Sequence, residues 1–405
     1  MRKLTMFIIS FTIMLSSITY TVYGKEDPPS VSADSVVLMD ALTGELLYAK
    51  NPDTAYPPAS TTKLMTALLT LERLDLDDTV KVGKKPPLAD GSKIYLFEDE
   101  EIKVRDLLYG LLLASGNDCA EALAEKISGS VDNFAVEMNK RALELGAKNT
   151  NFINPSGLFH DKHKTSAKDL ALIMRELSKN PEYTKIATTS SYKIAPTNKS
   201  SAERPLWNEN KLVQKSSMYY YEGCQGGKTG YTVQSQHSYV SVASRGDQKL
   251  IVALVHDNNK TFFPDAVSLF NYGFNNFKLT PLFKKGDFIT NYASEGLTIP
   301  LLAASDFYYI QEKDSTGIPK CTLNDKSLGN KYFKKGETIA DASITYNNKN
   351  IGTLKLMSGN DHELKQVFQD NVLNKNYLKT KYVVPASIVA VLALLFFVRK
   401  LNSRR

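Results

Sequence analysis

Tyr56-Pro57-Pro58-Ala59-Ser60-Thr61-Thr62-Lys63 runs directly into Leu64, Ala67, Leu68 and Leu71, apolar residues at helical spacing. The prolines stop whatever precedes, so the pattern predicts a helix over 60–74 with Ser60 at its start and Lys63 one turn on, on the same face. That spacing puts an amine within reach of a hydroxyl. A serine hydroxyl becomes a useful nucleophile only when a base takes its proton, and a lysine serves as that base only if desolvation or a nearby cation lowers its pKa. A helix N-terminus adds a positive end where an oxyanion would develop. Taken alone, a serine three residues before a lysine is common and a weak signal, and Ser60 reads as a plain helix cap.

Two further triplets lie downstream. Ser115-Gly116-Asn117 falls between two helical patterns, where a hydroxyl and an amide project from a short connection; it reads as a proton relay beside an amide that holds Lys63, or as a turn with Asn117 capping the next helix. Lys228-Thr229-Gly230 follows the turn-rich Glu222-Gly223-Cys224-Gln225-Gly226-Gly227 and reads as a strand edge. Such an edge binds an extended peptide by strand addition, with a cation and a hydroxyl for a terminal carboxylate; the alternative is an ordinary edge lysine.

Around these triplets the periodicity changes twice. Alternating strands are expected at Val36 to Met39 and Glu45 to Ala49, joined by a Thr43-Gly44 turn. Helical patterns follow at 104–114, 118–127, 133–145 and 166–177, then strands at 227–231, 239–243 and 250–255. Strands at both ends with helices between predict an α+β domain over 25–277, an antiparallel sheet whose first and last strands meet under a helical cluster. After Pro281 short strands and turns, including 338–346, Asn347-Asn348-Lys349-Asn350 and 351–357, predict a small β-sandwich-like domain over 281–360.

The ends and the composition place the chain. Residues 1–24, with Arg2, Lys3, an apolar run to Ile18 and small residues up to Gly24, read as an export signal, the alternative being an uncleaved anchor. Residues 361–381 are polar and read as a juxtamembrane linker. The uncharged stretch 382–398 reads as a short transmembrane helix, or failing that an interfacial one, and 399–405 as a basic cytoplasmic tail. Setting aside two positive charges at the start and four at the end reduces the formal +7 to +1, which leaves no nucleic-acid footprint. Cys119, Cys224 and Cys321 are too few for a disulfide framework and read as free thiols, a Cys119–Cys224 bridge staying open. His160 and His163 lack a third metal ligand, so no metal site is expected and the histidines read as surface residues.

Ser-x-x-Lys, Ser-x-Asn and Lys-Thr-Gly in this order resemble the signature of the penicillin-recognising serine transpeptidase and β-lactamase-like enzymes. The chain is most similar in pattern to the low-molecular-mass penicillin-binding proteins that act as serine-type D-alanyl-D-alanine carboxypeptidases. Pro57 to Ala67, Ser115-Gly116-Asn117-Asp118, Asn154-Pro155-Ser156-Gly157-Leu158, His163 with 165–170, 208–212 and 227–232 all carry the resemblance. It implies a Ser60 acyl-enzyme with Lys63 as base and Ser115 as proton relay, an oxyanion hole from the Ser60 and Tyr231 N–H groups, and a substrate held by Asn117, Lys228, Thr229, Gly230, Tyr231 and Thr232. It further implies peptidoglycan stem peptides as substrate, β-lactams as covalent inhibitors, membrane attachment and no cofactor. A transpeptidase working from the same acyl-enzyme is the alternative. A class A β-lactamase would need Glu-x-x-Leu-Asn, and the residues four before Asn324, Asn374 and Asn402 are Lys320, Asp370 and Val398. A wall-binding protein that had lost its chemistry would be expected to lack the nucleophile, and Ser60 is present.

Overall fold

The computed structural model describes residues 27–294, 297–324, 327–328, 331–363, 394–395 and 399. The expected export signal lies outside them, as do nearly all of the expected linker, membrane span and tail. Among the described residues no helix is long and apolar enough to cross a membrane.

Strands β1 (Ser35–Asp40) and β2 (Leu46–Lys50) are followed by a 3-10 turn, Ala59–Thr62, that runs into helix α1 (Lys63–Arg73). A hairpin of β3 (Thr79–Lys81) and β4 (Glu101–Lys103) precedes α2 (Val104–Leu113), α3 (Asn117–Ser128) and α4 (Val131–Glu144). Next come α5 (Ala167–Leu177), α6 (Pro181–Ala187) and a hairpin of β5 (Ser191–Ile194) with β6 (Arg204–Trp207). Strands β7 (Cys224–Thr232), β8 (Gln236–Arg245) and β9 (Gln248–Asp257) lead to α7 (Phe262–Asn276).

The main sheet has the order β2-β1-β9-β8-β7, every neighbour antiparallel, so the first strand does meet the last and β7 lies at one end. Its strands depart from the expected alternation of apolar and polar residues. All six residues of β1 are buried because both faces are covered. Val37, Met39, Ile251 and Ala253 join the core that includes Leu170 and Met174 of α5, while Val36, Leu38, Val252 and Leu254 join the core that includes Leu269 and Phe270 of α7. A strand buried on both faces reads as a continuous apolar run. The second cover, α7, was not foreseen in the sequence, although Phe262, Ala266, Leu269, Phe270 and Phe274 follow helical spacing.

Helix α1 sits in the helical layer with eight consecutive residues buried, Lys63 to Thr70, and so cannot present a solvated face along that length. Local signals fix the neighbouring helix starts. Ser130 and Ser166 accept from the N–H groups of Asn133 and Asp169, and Asn180 caps α6 with Pro181 in its first turn.

Two compact units result, Met1–Phe283 with Asp306–Pro319, and Lys284–Ser305 with Lys320–Arg405. The chain therefore crosses back once, because β10 (Phe277–Phe283) pairs with β13 (Phe307–Glu312) inside the first unit. Between them lie β11 (Phe288–Ser294) and β12 (Leu297–Ala303); β14 (Lys320–Leu323), β15 (Thr338–Tyr346) and β16 (Lys349–Ser358) follow. The second unit is β-rich, as expected, and its described strands form one antiparallel sheet of order β11-β12-β16-β15-β14. Asn347 and Asn348, both at positive φ, make the tight turn between β15 and β16.

Leu38 is fully buried beneath α7, so Leu38→Ala should lower the unfolding free energy by about 2 to 5 kcal/mol. Urea denaturation of the catalytic unit measures this; a loss under about 1 kcal/mol would mean that α7 does not close this face.

Candidate active site

Ser60 lies in the 3-10 turn ahead of α1, and Lys63 is the first residue of the α-helix. The serine is therefore not the cap of α1; Thr62 holds that position, without a side-chain capping bond. Ala59, just before Ser60, is held at positive φ, a conformation that costs a non-glycine residue energy and persists only where the surroundings impose it.

Lys63 is fully buried, and its Nζ has three oxygen neighbours: Ser60 Oγ at 3.0 Å, Asn117 Oδ1 at 2.7 Å and the Ser156 carbonyl at 2.7 Å. Burial is the largest cause of a pKa well below the ordinary lysine value, and the nearby charge of Lys228 is the second. A neutral amine has two N–H donors and one lone pair. Asn117 Oδ1 and the Ser156 carbonyl can only accept, and they take the two donors. The lone pair is left for the Ser60 hydroxyl, which is the only one of the three able to donate. In its neutral form Lys63 can therefore aim its lone pair at the Ser60 hydroxyl.

Each partner is fixed from outside. Asn117 donates through Nδ2 to the Asp90 carbonyl, which orients its amide, and it is the first residue of α3 rather than its cap, Gly116 being the cap. The Ser156 carbonyl belongs to the loop 153–157, pinned to α1 by a bond from Thr66 Oγ1 to the Pro155 carbonyl at 2.6 Å. His163 adds a second pin. Its Nδ1 accepts from the Ile153 N–H at 3.1 Å, so its Nε2 carries the proton and donates to Thr62 Oγ1 at 2.9 Å. His163 is thus buried, not on the surface as expected, and burial is the main cause of its pKa being pushed down to about 4. Gly157 permits the approach of this loop: it adopts φ +84, and a Cβ there would stand 1.8 Å from the Ala59 carbonyl oxygen.

A cavity of about 630 Å³ opens over this arrangement, lined by Ser60, Ser115, Thr229, Gly230 and Tyr231 among others. Ser115 is buried at positive φ, its turn held by Gly116 N–H to the Gly110 carbonyl and Asn117 N–H to the Ser92 carbonyl. Strand β7 passes so near the 3-10 turn that a Cβ on Gly230 would lie 2.8 Å from the Pro58 carbonyl and 2.9 Å from the Ser60 nitrogen. Glycine is needed at that crossing. Tyr231 is exposed and stacks on His237.

Lys228 is almost fully buried, with its Nζ 3.0 Å from the Thr229 carbonyl and 3.8 Å from Glu209 Oε2; burial lowers its pKa while Glu209 works against that. The Thr229 hydroxyl donates to Glu209 at 3.2 Å. Thr232 is placed differently from the other expected residues. Its hydroxyl donates to Ser235 Oγ and accepts from the Ser235 N–H, inside the β7–β8 turn. The sequence missed the Ser156 carbonyl, Glu209, Lys260 and Phe262 as parts of the site. A backbone carbonyl leaves no mark in side-chain chemistry, and the others are brought to the cavity by distant elements.

Comparison with known proteins places this geometry. Residues 23–259 match the family described as D-alanyl-D-alanine carboxypeptidase, and residues 277–364 match the penicillin-binding protein 5 C-terminal domain. The chain belongs to the D-alanyl-D-alanine carboxypeptidase family. It is 31% identical over 363 residues to D-alanyl-D-alanine carboxypeptidase DacF of Bacillus subtilis, covering 82% of this chain and 90% of that one. The crystal structure of penicillin-binding protein 5 from Haemophilus influenzae superposes with a TM-score of 0.70 at 30% identity, covering 83% of this chain and 99% of that one. A variant of the Streptomyces K15 DD-transpeptidase superposes with a TM-score of 0.57 at 31% identity, over 61% of this chain and 99% of that one.

The charge of Lys228 helps to keep Lys63 neutral, so removing it should raise the Lys63 pKa. In Lys228→Gln the rise of the penicillin acylation rate with pH should move to higher pH, beyond any loss in amplitude. Stopped-flow acylation across pH checks this; an unmoved inflection would mean that Lys228 does not tune the base.

Proposed function

We propose that this chain is a penicillin-sensitive serine D-alanyl-D-alanine carboxypeptidase that trims peptidoglycan pentapeptides during cell-wall synthesis and remodelling. The observation that carries the reading is the buried Lys63 amine with two acceptors on its N–H groups and Ser60 at its lone pair. Ser60 Oγ attacks the carbonyl of the penultimate D-alanine as its proton passes to Lys63. The N–H groups of Ser60 and Tyr231 receive the oxyanion. Collapse breaks the bond to the terminal D-alanine, whose nitrogen takes the proton through Ser115 with Lys228 nearby, while Lys228 and Thr229 receive its carboxylate. Water then splits the ester and restores Ser60.

A peptide amine in place of water would make the same intermediate a cross-linking one. That second reading has support in the Streptomyces strain K15 relative, named D-alanyl-D-alanine carboxypeptidase as a protein and DD-transpeptidase in its solved structures. We further infer that the catalytic and β-rich parts act outside the cytoplasm, with 1–24 removed on export and 382–398 holding the chain in the membrane. This rests on charge and hydropathy in the sequence.

Ser60→Ala should abolish covalent labelling by penicillin and D-alanine release from a pentapeptide, a loss of at least about a thousandfold. Undiminished labelling would place the nucleophile elsewhere. Adding an acceptor amine should leave free D-alanine release dominated by hydrolysis; cross-linked product rising in proportion to acceptor would favour the transpeptidase. A chain ending at Asn374 should stay in the soluble fraction after export, and its continued sedimentation with membranes would locate the anchor elsewhere.

A further inference from the structure

Glu209 stands where the substrate's own carboxylate is expected. The Thr229 hydroxyl donates to its Oε2 at 3.2 Å, and Lys228 Nζ lies 3.8 Å from the same oxygen. These are the hydroxyl and the cation assigned above to the departing D-alanine, so the inference rests on that reading of the site. The main chain at Glu209 is fixed by its neighbours. Asn208 is buried and donates to the Ala187 and Thr189 carbonyls, while Asn210 is buried and accepts from the Tyr239 hydroxyl. The Glu209 side chain is free by comparison, being 50% exposed. It lines the catalytic cavity and also a second cavity of about 510 Å³ with Trp207 and Lys93, which offers the carboxylate a place to turn.

We propose that Glu209 determines leaving-group specificity by occupying the Lys228–Thr229 anion site with its own carboxylate. A leaving group with a free carboxylate must displace Glu209 or lie beside a like charge, whereas one with a neutral or cationic end meets no such opposition. Lys260 lines the same cavity and adds a second cation to it. A residue that only held the Lys228 side chain in place would behave differently: its loss would change the handling of charged and neutral leaving groups alike.

The test compares full-length wild type with Glu209→Gln, and with Glu209→Ala as a second variant, on two peptides that differ only in a C-terminal carboxylate or carboxamide. Penicillin and its methyl ester are compared in parallel by acylation rate. In both variants the ratio of kcat/KM for carboxylate over carboxamide should rise about tenfold, with the penicillin pair moving the same way. Added salt should narrow the difference between wild type and variants by screening. An unchanged ratio, or an equal fall for both members of each pair, would overturn the proposal and leave Glu209 as a structural support of Lys228. If wild type is labelled by penicillin yet releases neither D-alanine from the carboxylate peptide nor D-alaninamide from the carboxamide, the carboxypeptidase reading fails, and the penicillin pair still decides the role of Glu209.

Discussion

A buried amine whose desolvation and neighbouring cation disfavour the ammonium form is the constraint on which this site is organised. Lys63 has oxygen at three points and little access to water, and Lys228 adds a second positive charge close by. Burying a charge without a counter-ion costs several kcal/mol, which lowers the pKa of the amine and favours its neutral form. Once it is neutral, the two carbonyl-type acceptors dictate where the lone pair points. The same desolvation that would destabilise an ordinary buried lysine prepares this one to take a proton from Ser60.

Building this site requires two distant parts of the chain to converge on one turn. The loop 153–157 is fastened to α1 through Thr66 and through His163 with Thr62, and Gly157 lets its backbone press against Ala59. Strand β7 comes from the other direction and presses Gly230 against the same turn. Positive φ at Ala59 and Ser115 marks where this convergence strains the backbone. The rigid support is the sheet, clasped between α5 and α7, which keeps β7 in register with β8 beside it.

Much of this was readable in the sequence because periodicity and turn chemistry are local. The strand pairs, the helices around the three triplets and the late β-rich part follow from apolar spacing, and Ser60, Lys63, Asn117 and Lys228 follow from their residue types and order. What stayed hidden is non-local. The helical spacing of α7 directly follows a strong strand pattern, and nothing in Phe307–Glu312 shows that β13 returns to pair with Phe277–Phe283. His163 looked like a surface histidine because burial depends on Thr62, about a hundred residues away along the chain. Thr232 looked equivalent to Thr229, and only the β7–β8 turn reveals that its hydroxyl is committed to Ser235.

The central claim is that Lys63 is neutral when Ser60 needs a base. An NMR titration of the protein with ¹³C at the lysine Cε positions, with the Lys63 signal assigned by its absence in Lys63→Ala, measures this directly. The account expects Lys63 to titrate well below the ordinary lysine value of about 10.4. A Lys63 signal that titrates with the surface lysines would contradict it and would require another base for Ser60.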